Sequence, residues 1–306
     1  MAARSRWSRS RPAWAPGTAL PWRPWTAPSG ERWPAAWPST GPRRAGAARS
    51  ASGWSASPWR SSTTSSAELK GVTFDFWGTL FKWRGSTMEI RKEAVRRFVA
   101  RHRAELPAEV VDQAFQAGLD RGTAAWKESR HFGPEAIIEH LLAELRLEAP
   151  AEAREELRAL LEDPDPESTL EPVEGVAEAV AGLSARGLRL GIVCDSGMMV
   201  GRVLRGRLQR SGLGSYFEPS ALAFSDEVGV TKPRPEIFLK ALDALAVRPA
   251  DAAHIGDLHF TDMAGAKALG MRAVRFKGFN DDDSEGPEGD AVIDSYRDLP
   301  AALGLA

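Results

Sequence analysis

Between residues 188 and 293 the chain alternates short apolar runs with amphipathic stretches, and this alternation restricts the fold more than any other feature. The runs 188–194 (LRLGIVC), 221–224, 252–256 (AAHIG), 271–276 and 291–293 have the length and apolar content of buried strands. Helical patterns at 176–185, 199–208, 235–245 and 261–269 alternate with them, the first and last stopped by Gly187 and Gly270. One more run, with Val72, Phe74 and Phe76 in LKGVTFDFWGTLF, lies well upstream. Strands separated by helices specify an α/β fold, a doubly wound parallel sheet with right-handed crossovers.

Such sheets bind ligands at the carboxyl ends of their strands. Four polar clusters fall at those ends. Asp75 closes the first run and is followed by Gly78 and Thr79, which offer a sharp turn, backbone N–H groups and a hydroxyl to an anion. Cys194, Asp195 and Ser196 follow the second run. Lys232 sits in GVTKP, and Asp257 and Asp262 sit in HIGDLHFTD. A parallel sheet brings three carboxylates and an ammonium into one crevice. Carboxylates that close repel and need a cation. All-oxygen ligands suit Mg²⁺, which is often shared with a substrate phosphate. Lys232 can neutralise both the nucleophile and an incoming phosphoryl group. Asp75 can then attack phosphorus and form an aspartyl-phosphate.

In their order along the chain, DFWGTL, GIVCDSG, FSDEVGVTKPRPEIF and HIGDLHFTDMAGAKALGM resemble the four motifs of the haloacid dehalogenase superfamily. The likeness covers residues 70–306 and implies a Rossmann-like core with a helical cap inserted after the first motif. It implies Asp75 as nucleophile and Lys232 as charge balance. Asp257 would ligate Mg²⁺, the backbone carbonyl of Trp77 would join it, and Asp262 would orient the metal shell or Lys232. The implied reaction is phosphoryl transfer from a small phosphorylated molecule.

Two positions depart from that pattern. Phosphatase members carry a second Asp two residues after the nucleophile, as general acid and base, and here the position is Trp77. Loss of a positioned acid costs about 10²–10⁴ in rate. Either the leaving group needs no proton, or another group supplies one, with Asp195, His259, His131 and Glu128 as candidates, or turnover has been lost. An aromatic residue at this position resembles the metal-free dehalogenase branch, whose halide leaves without a proton; Asp257 with Asp262 argues for the metal enzyme instead. The alternatives are thus a metal-free 2-haloacid dehalogenase and a non-catalytic binder. The second motif has Cys194 where Ser or Thr is usual, so either the Cys194 thiol or Ser196 would hold phosphate, unless Cys194 is a small core residue.

The helical insertion spans 85–171. Ile90, Val95, Phe98 and Val99 share one face of its first helix; Val111, Phe115 and Leu119 mark a second; Ile137, Ile138, Leu141, Leu142 and Leu145 a third, with Pro134 in its first turn; Leu157, Leu160 and Leu161 a fourth. His131, between cap helices, either faces the substrate or is a surface residue. His254 reads as a packing residue, Trp83 and Trp126 as pocket or core fillers, and 281–283 (DDD) as a solvated loop. The expected divisions are a tail over 1–66, core over 67–84 and 172–306, and the cap over 85–171.

The tail differs in kind. Residues 1–66 hold eight of the eleven Trp, ten Arg, one Glu and no Lys, a charge of +9, and the remainder carries −10. Prolines break every apolar period, so the tail reads as disordered. It has the composition of a transit peptide or an Arg/Trp nucleic-acid binder, but the favoured expectation is translated sequence upstream of the true start. The acidic remainder argues against a nucleic-acid groove. No run is long and apolar enough to span a bilayer. The single Cys194 precludes an intrachain disulfide and fits a reducing compartment; the expected location is the cytoplasm.

Overall fold

A computed structural model describes residues 68–82 and 87–305. The expectations for residues 1–66 and for Trp83 lie outside them. The chain enters with β1 (Gly71–Phe74) and a two-residue β2 (Phe81–Lys82). Four helices follow: α1 (Met88–His102), α2 (Ala108–Lys127), α3 (Pro134–Glu144) and α4 (Ala151–Glu162). β3 (Glu171–Pro172) then pairs antiparallel with β2, where the helical segment leaves and returns. Lys82 and Glu171 lock this pair by an ion pair of 3.0 Å.

The remaining elements alternate. They are α5 (Val176–Ala185), β4 (Arg189–Cys194), α6 (Gly201–Arg210), β5 (Leu222–Phe224), α7 (Ser225–Val228), α8 (Pro235–Leu245), β6 (Ala252–Gly256), α9 (Ala264–Ala268), β7 (Arg272–Phe276), β8 (Ala291–Ile293) and α10 (Leu299–Ala302). Six strands form a parallel sheet in the order β5-β4-β1-β6-β7-β8, as the alternation of runs requires. β1 lies near the centre, so Asp75 emerges between β4 and β6, where the strand order reverses and crevices form.

Both faces of the sheet are covered, and alternate residues serve opposite faces. Val72, Phe74, Ile192 and Phe276 pack with α5, α6 and Tyr296 in one cluster. The opposite face is built of small residues, Ala223, Ala252 and Ala273, against Ile237, Phe238 and Leu242 of α8. A Cβ at Gly191 would lie 2.9 Å from the carbonyl oxygen of Ala221, so the close approach of backbone here requires glycine. The four inserted helices have their own core around Phe98, Phe115, Ile138, Leu141 and Leu157.

Several local expectations are corrected. Ile90 is 46% exposed and Leu160 is 42% exposed, although the helical period places both on buried faces. Arg91 takes the buried place near Ile90, its Nε donating to the Leu161 carbonyl oxygen over 2.7 Å. Its long stem satisfies the packing and its head satisfies a helix end. Residues 261–269 are not one helix: His259–Met263 is a π-turn in which the Met263 N–H reaches Leu258 O over 3.2 Å. That widening lets the Asp262 carboxylate fold back onto its own turn. The run 281–283 is a loop with Asp281 and Asp283 exposed, as expected, but its acids are not idle. Asp282 accepts from the backbone N–H of His259 at 2.8 Å and from the Ser284 hydroxyl at 2.8 Å, while Asp281 pairs with Arg275 at 2.9 Å. Among the described residues no helix is long and apolar enough to cross a membrane.

Candidate active site

Asp75, Lys232, Asp257 and Asp262 meet at the carboxyl edge of the sheet, all nearly inaccessible to solvent. One oxygen of each of Asp75, Asp257 and Asp262 lies within 4.8 Å of the others. Lys232 Nζ donates to Asp75 Oδ1 and, over 2.7 Å, to Asp262 Oδ1. Burial raises the Asp75 pKa to about 7, with the Lys232 charge opposing and the Asp262 charge adding to the rise. Burial pushes Asp257 well up, and repulsion from Asp75 and Asp262 pushes it further. Burial would raise Asp262 too, but the Lys232 charge and the His254 hydrogen bond hold it below the usual carboxylate range. Lys232 is pushed well above its ordinary value: burial works against the ammonium, and the charges of Asp262 and Asp75 prevail. Fully ionised, the three carboxylates would carry more negative charge than one ammonium balances, which is why burial and mutual repulsion push Asp75 and Asp257 up; their donors are oxygens, which fits a hard dication.

Asp262 is saturated. Its Oδ1 accepts from Lys232 and from His254 Nε2 at 3.1 Å, and its Oδ2 accepts from the Leu258 N–H at 3.1 Å and the Thr261 hydroxyl at 3.3 Å. It holds the ammonium in place and has little left for a metal. A Cβ at Gly256 would collide with the Asp262 side chain, which explains a glycine directly before Asp257.

The family model for haloacid dehalogenase-like hydrolases matches residues 69–270. The chain belongs to this family. It is 29% identical over 238 residues to glyceraldehyde 3-phosphate phosphatase of Methanopyrus kandleri, covering 77% of this chain and 95% of that protein. The enzyme of the same description from Pyrococcus furiosus is 36% identical over 110 residues, which is 35% of this chain and 43% of that protein, so this match spans less than half of the relative. Among solved structures, 2-haloacid dehalogenase from Pseudomonas syringae pv. Tomato superposes with a TM-score of 0.51 at 24% identity, over 77% of this chain and 98% of that one. That likeness shows the fold alone.

In this haloacid dehalogenase-like hydrolase the other sequence candidates are placed unequally. Thr79 is fully buried, and its hydroxyl has no partner among the described residues, as a phosphate donor awaiting its acceptor would be. Gly78 takes a φ of 77°, which suits glycine in the turn. Its N–H donates to Phe81 O at 2.9 Å and is not free for an anion, which corrects that expectation. Trp77 is half-buried, its ring edge-on to Phe76 at 5.0 Å.

Ser196 is also corrected as a phosphate ligand. Its hydroxyl donates to Asp226 Oδ1 at 2.6 Å and accepts from the Asp226 N–H at 3.3 Å, tying β4 to the start of α7. Asp226 in turn accepts from the Gly201 N–H at 3.0 Å, so α6 begins there and not at Met199. Cys194 ends β4 as a fully buried member of the core, its thiol pKa raised by burial and by the Asp75 charge. That describes a small core residue and not an activated thiol.

Asp195 does not stand free as an acid. Its Oδ1 accepts from the Lys232 backbone N–H and its Oδ2 from the Trp126 indole, each at 2.9 Å. It therefore ties α2 to the Lys232 loop. His259 is held at 3.1 Å by Asp282 and at 3.5 Å by Glu288. Glu128 is exposed and paired with Arg130. His131 lies 3.1 Å from the Ser225 hydroxyl, and burial lowers its pKa. Together with Trp126 and Thr231 it lines a cavity of about 310 Å³ between the helical insertion and the core.

Two residues of the site escaped sequence reasoning. His254, read as packing, bonds Asp262. Asn280 is buried and donates to Asp257 Oδ2 over 2.7 Å. Asn280 lies outside the four motifs; His254 opens the fourth, and its position on β6, three residues before Asp257, was a usable signal.

Proposed function

We propose that this hydrolase cleaves a small-molecule phosphate ester through an aspartyl-phosphate on Asp75, with Mg²⁺ as cofactor. The observation that carries the reading is the Lys232 ammonium held between Asp75 and Asp262 beside Asp257. Phosphatase relatives at 29% and 36% identity support it. The carboxylates of Asp75 and Asp257, with the Trp77 carbonyl, would hold the ion. When bound it supplies positive charge to the carboxylates and to phosphoryl oxygens.

The chain's own residues supply the rest. Lys232 keeps Asp75 in its ionised, attacking form and neutralises charge that develops on the phosphoryl group. The Thr79 hydroxyl donates to one phosphoryl oxygen. Asp262 fixes the ammonium, and Asn280 fixes the Asp257 carboxylate. A carboxylate oxygen of Asp75 attacks phosphorus, and water then hydrolyses the acyl phosphate. We read α1–α4 as a cap that encloses the substrate and limits the water reaching the site.

The test is hydrolysis of phosphate esters and of 2-chloropropionate, each with Mg²⁺ and with EDTA. Phosphate release that disappears with EDTA and in Asp75→Asn supports the reading. Chloride release that persists in EDTA, with no phosphate release, replaces it with a metal-free dehalogenase, the reading that an aromatic residue at Trp77 favours.

A further inference from the structure

We propose that the substrates of this site are phosphates whose leaving oxygen departs without a proton: aryl, enol or acyl phosphates, and not simple alkyl esters. The inference rests on the phosphoryl-transfer reading and adds the chemical class of the leaving group. When an Asp75 oxygen forms its bond to phosphorus, the bond from phosphorus to the leaving oxygen breaks and its electron pair stays on that oxygen. An alkoxide is too basic to depart that way unaided, whereas a phenolate, enolate or carboxylate departs readily. In the second step water attacks phosphorus, the Asp75 carboxylate leaves with its electron pair, and the water proton goes to a phosphate oxygen of the product. No further reagent is needed.

The groups near the site that could donate a proton are committed elsewhere. Two residues past Asp75 stands Trp77, whose indole packs edge-on to Phe76. Asp195 lines the cavity and burial raises its pKa, but the Lys232 charge and the hydrogen bonds its two oxygens accept, from the Trp126 indole and the Lys232 backbone, favour its ionised form. The four acceptor positions of Asp262 are filled. His259 is clamped by Asp282 and Glu288, and Glu128 is exposed and paired with Arg130. His131 faces the cavity, but burial favours its neutral form, a weak acid.

The cavity offers a second, independent argument. Its walls include Leu119, Trp126, Phe132, Ile137 and Met198, a largely apolar and partly aromatic lining interrupted by Arg130, His131 and Asp195. The Thr231 hydroxyl in that lining is buried and has no partner among the described residues. A volume of about 310 Å³ takes a flat aryl or short acyl group with one polar atom to meet Thr231.

The experiment measures kcat/KM with Mg²⁺ for 4-nitrophenyl, phenyl, acetyl and ethyl phosphate, for wild type and Trp77→Asp. The expected result is a fall of about 10²–10⁴ from 4-nitrophenyl to ethyl phosphate in wild type, the size of a missing acid. Trp77→Asp should raise ethyl phosphate relative to 4-nitrophenyl phosphate by at least about tenfold. Acetyl phosphate outrunning the aryl esters assigns an acyl substrate, and the reverse assigns an aryl one. Wild type that cleaves ethyl and 4-nitrophenyl phosphate within about tenfold of each other overturns the proposal while leaving phosphoryl transfer standing. Failure on all four overturns both. The wild-type series decides the matter even when the variant does not fold.

Discussion

His254 and Asp262 share a buried hydrogen bond in which Nε2 lies 3.1 Å from Oδ1, the oxygen that also takes the Lys232 ammonium. On the other side of the ring, Nδ1 lies 2.9 Å from the Thr73 hydroxyl. Asp262 is ionised and can only accept, so Nε2 carries the proton; burial keeps the ring neutral, so Nδ1 accepts from Thr73. The relay runs Thr73, His254, Asp262, Lys232, Asp75, from adjacent strands to the nucleophile. Because every acceptor position of Asp262 is filled, the oxygen that takes the ammonium is held in place by this ring.

His254→Leu removes the donor to Asp262. We expect kcat to fall about 10–100-fold, the usual cost of losing such an outer partner, with KM little changed. His254→Gln, which retains an N–H at the same reach, should recover most of the loss. Steady-state kinetics of the two variants on one phosphate ester checks this; equal losses would mean that the ring only fills space.

Lys232→Met leaves Asp75 and Asp262 buried without their shared cation. Breaking a buried pair in this way costs about 3–5 kcal/mol of stability, because an uncompensated charge remains. Urea denaturation should show that loss, and activity should vanish with it. Adding Asp75→Asn to the same variant should restore part of the stability and none of the activity, since the two sites share one network.

Mg²⁺ should raise the melting temperature of the wild type. At 100 times the dissociation constant the gain is about 2.7 kcal/mol. Asp257→Asn should abolish the shift, and Asp262→Asn should reduce it less, because Asp262 already spends its oxygens on protein donors. A thermal scan with and without the ion, on all three proteins, reads this directly. An undiminished shift in Asp257→Asn places the ion elsewhere.

The sheet was legible because a parallel strand covered on both faces is buried along its length, as β4 is from Leu190 onward and β6 is throughout, with His254 the one polar side chain in that strand. The meeting of Asp75, Lys232, Asp257 and Asp262 followed from topology, since parallel strands deliver their ends to one edge. What stayed hidden depends on side-chain direction. Ser196 turns to Asp226, Asp195 to Trp126 and Asn280 to Asp257, and no periodicity encodes which way a loop residue points. The β2–β3 pair, two residues a side, is too short to leave a pattern. Ile90 and Arg91 exchanged expected places because an Arg stem can replace a core residue when its head finds a carbonyl.

His131 makes the junction of the inserted helices and the sheet domain sensitive to acid. It lies beside Ser225, and the charged group bearing on it is Asp226; burial lowers its pKa and Asp226 only partly offsets that. Protonation is therefore easier in the unfolded chain. The stability conferred by the neutral ring is complete above the ordinary value of about 6.5 and is lost as pH falls through the lower folded value. His131→Gln removes the titration, so its melting temperature should change less than that of the wild type between about pH 7.5 and pH 5. The difference between the two curves should open only on the acid side of about 6.5. A difference that is constant across the range would assign His131 to packing alone.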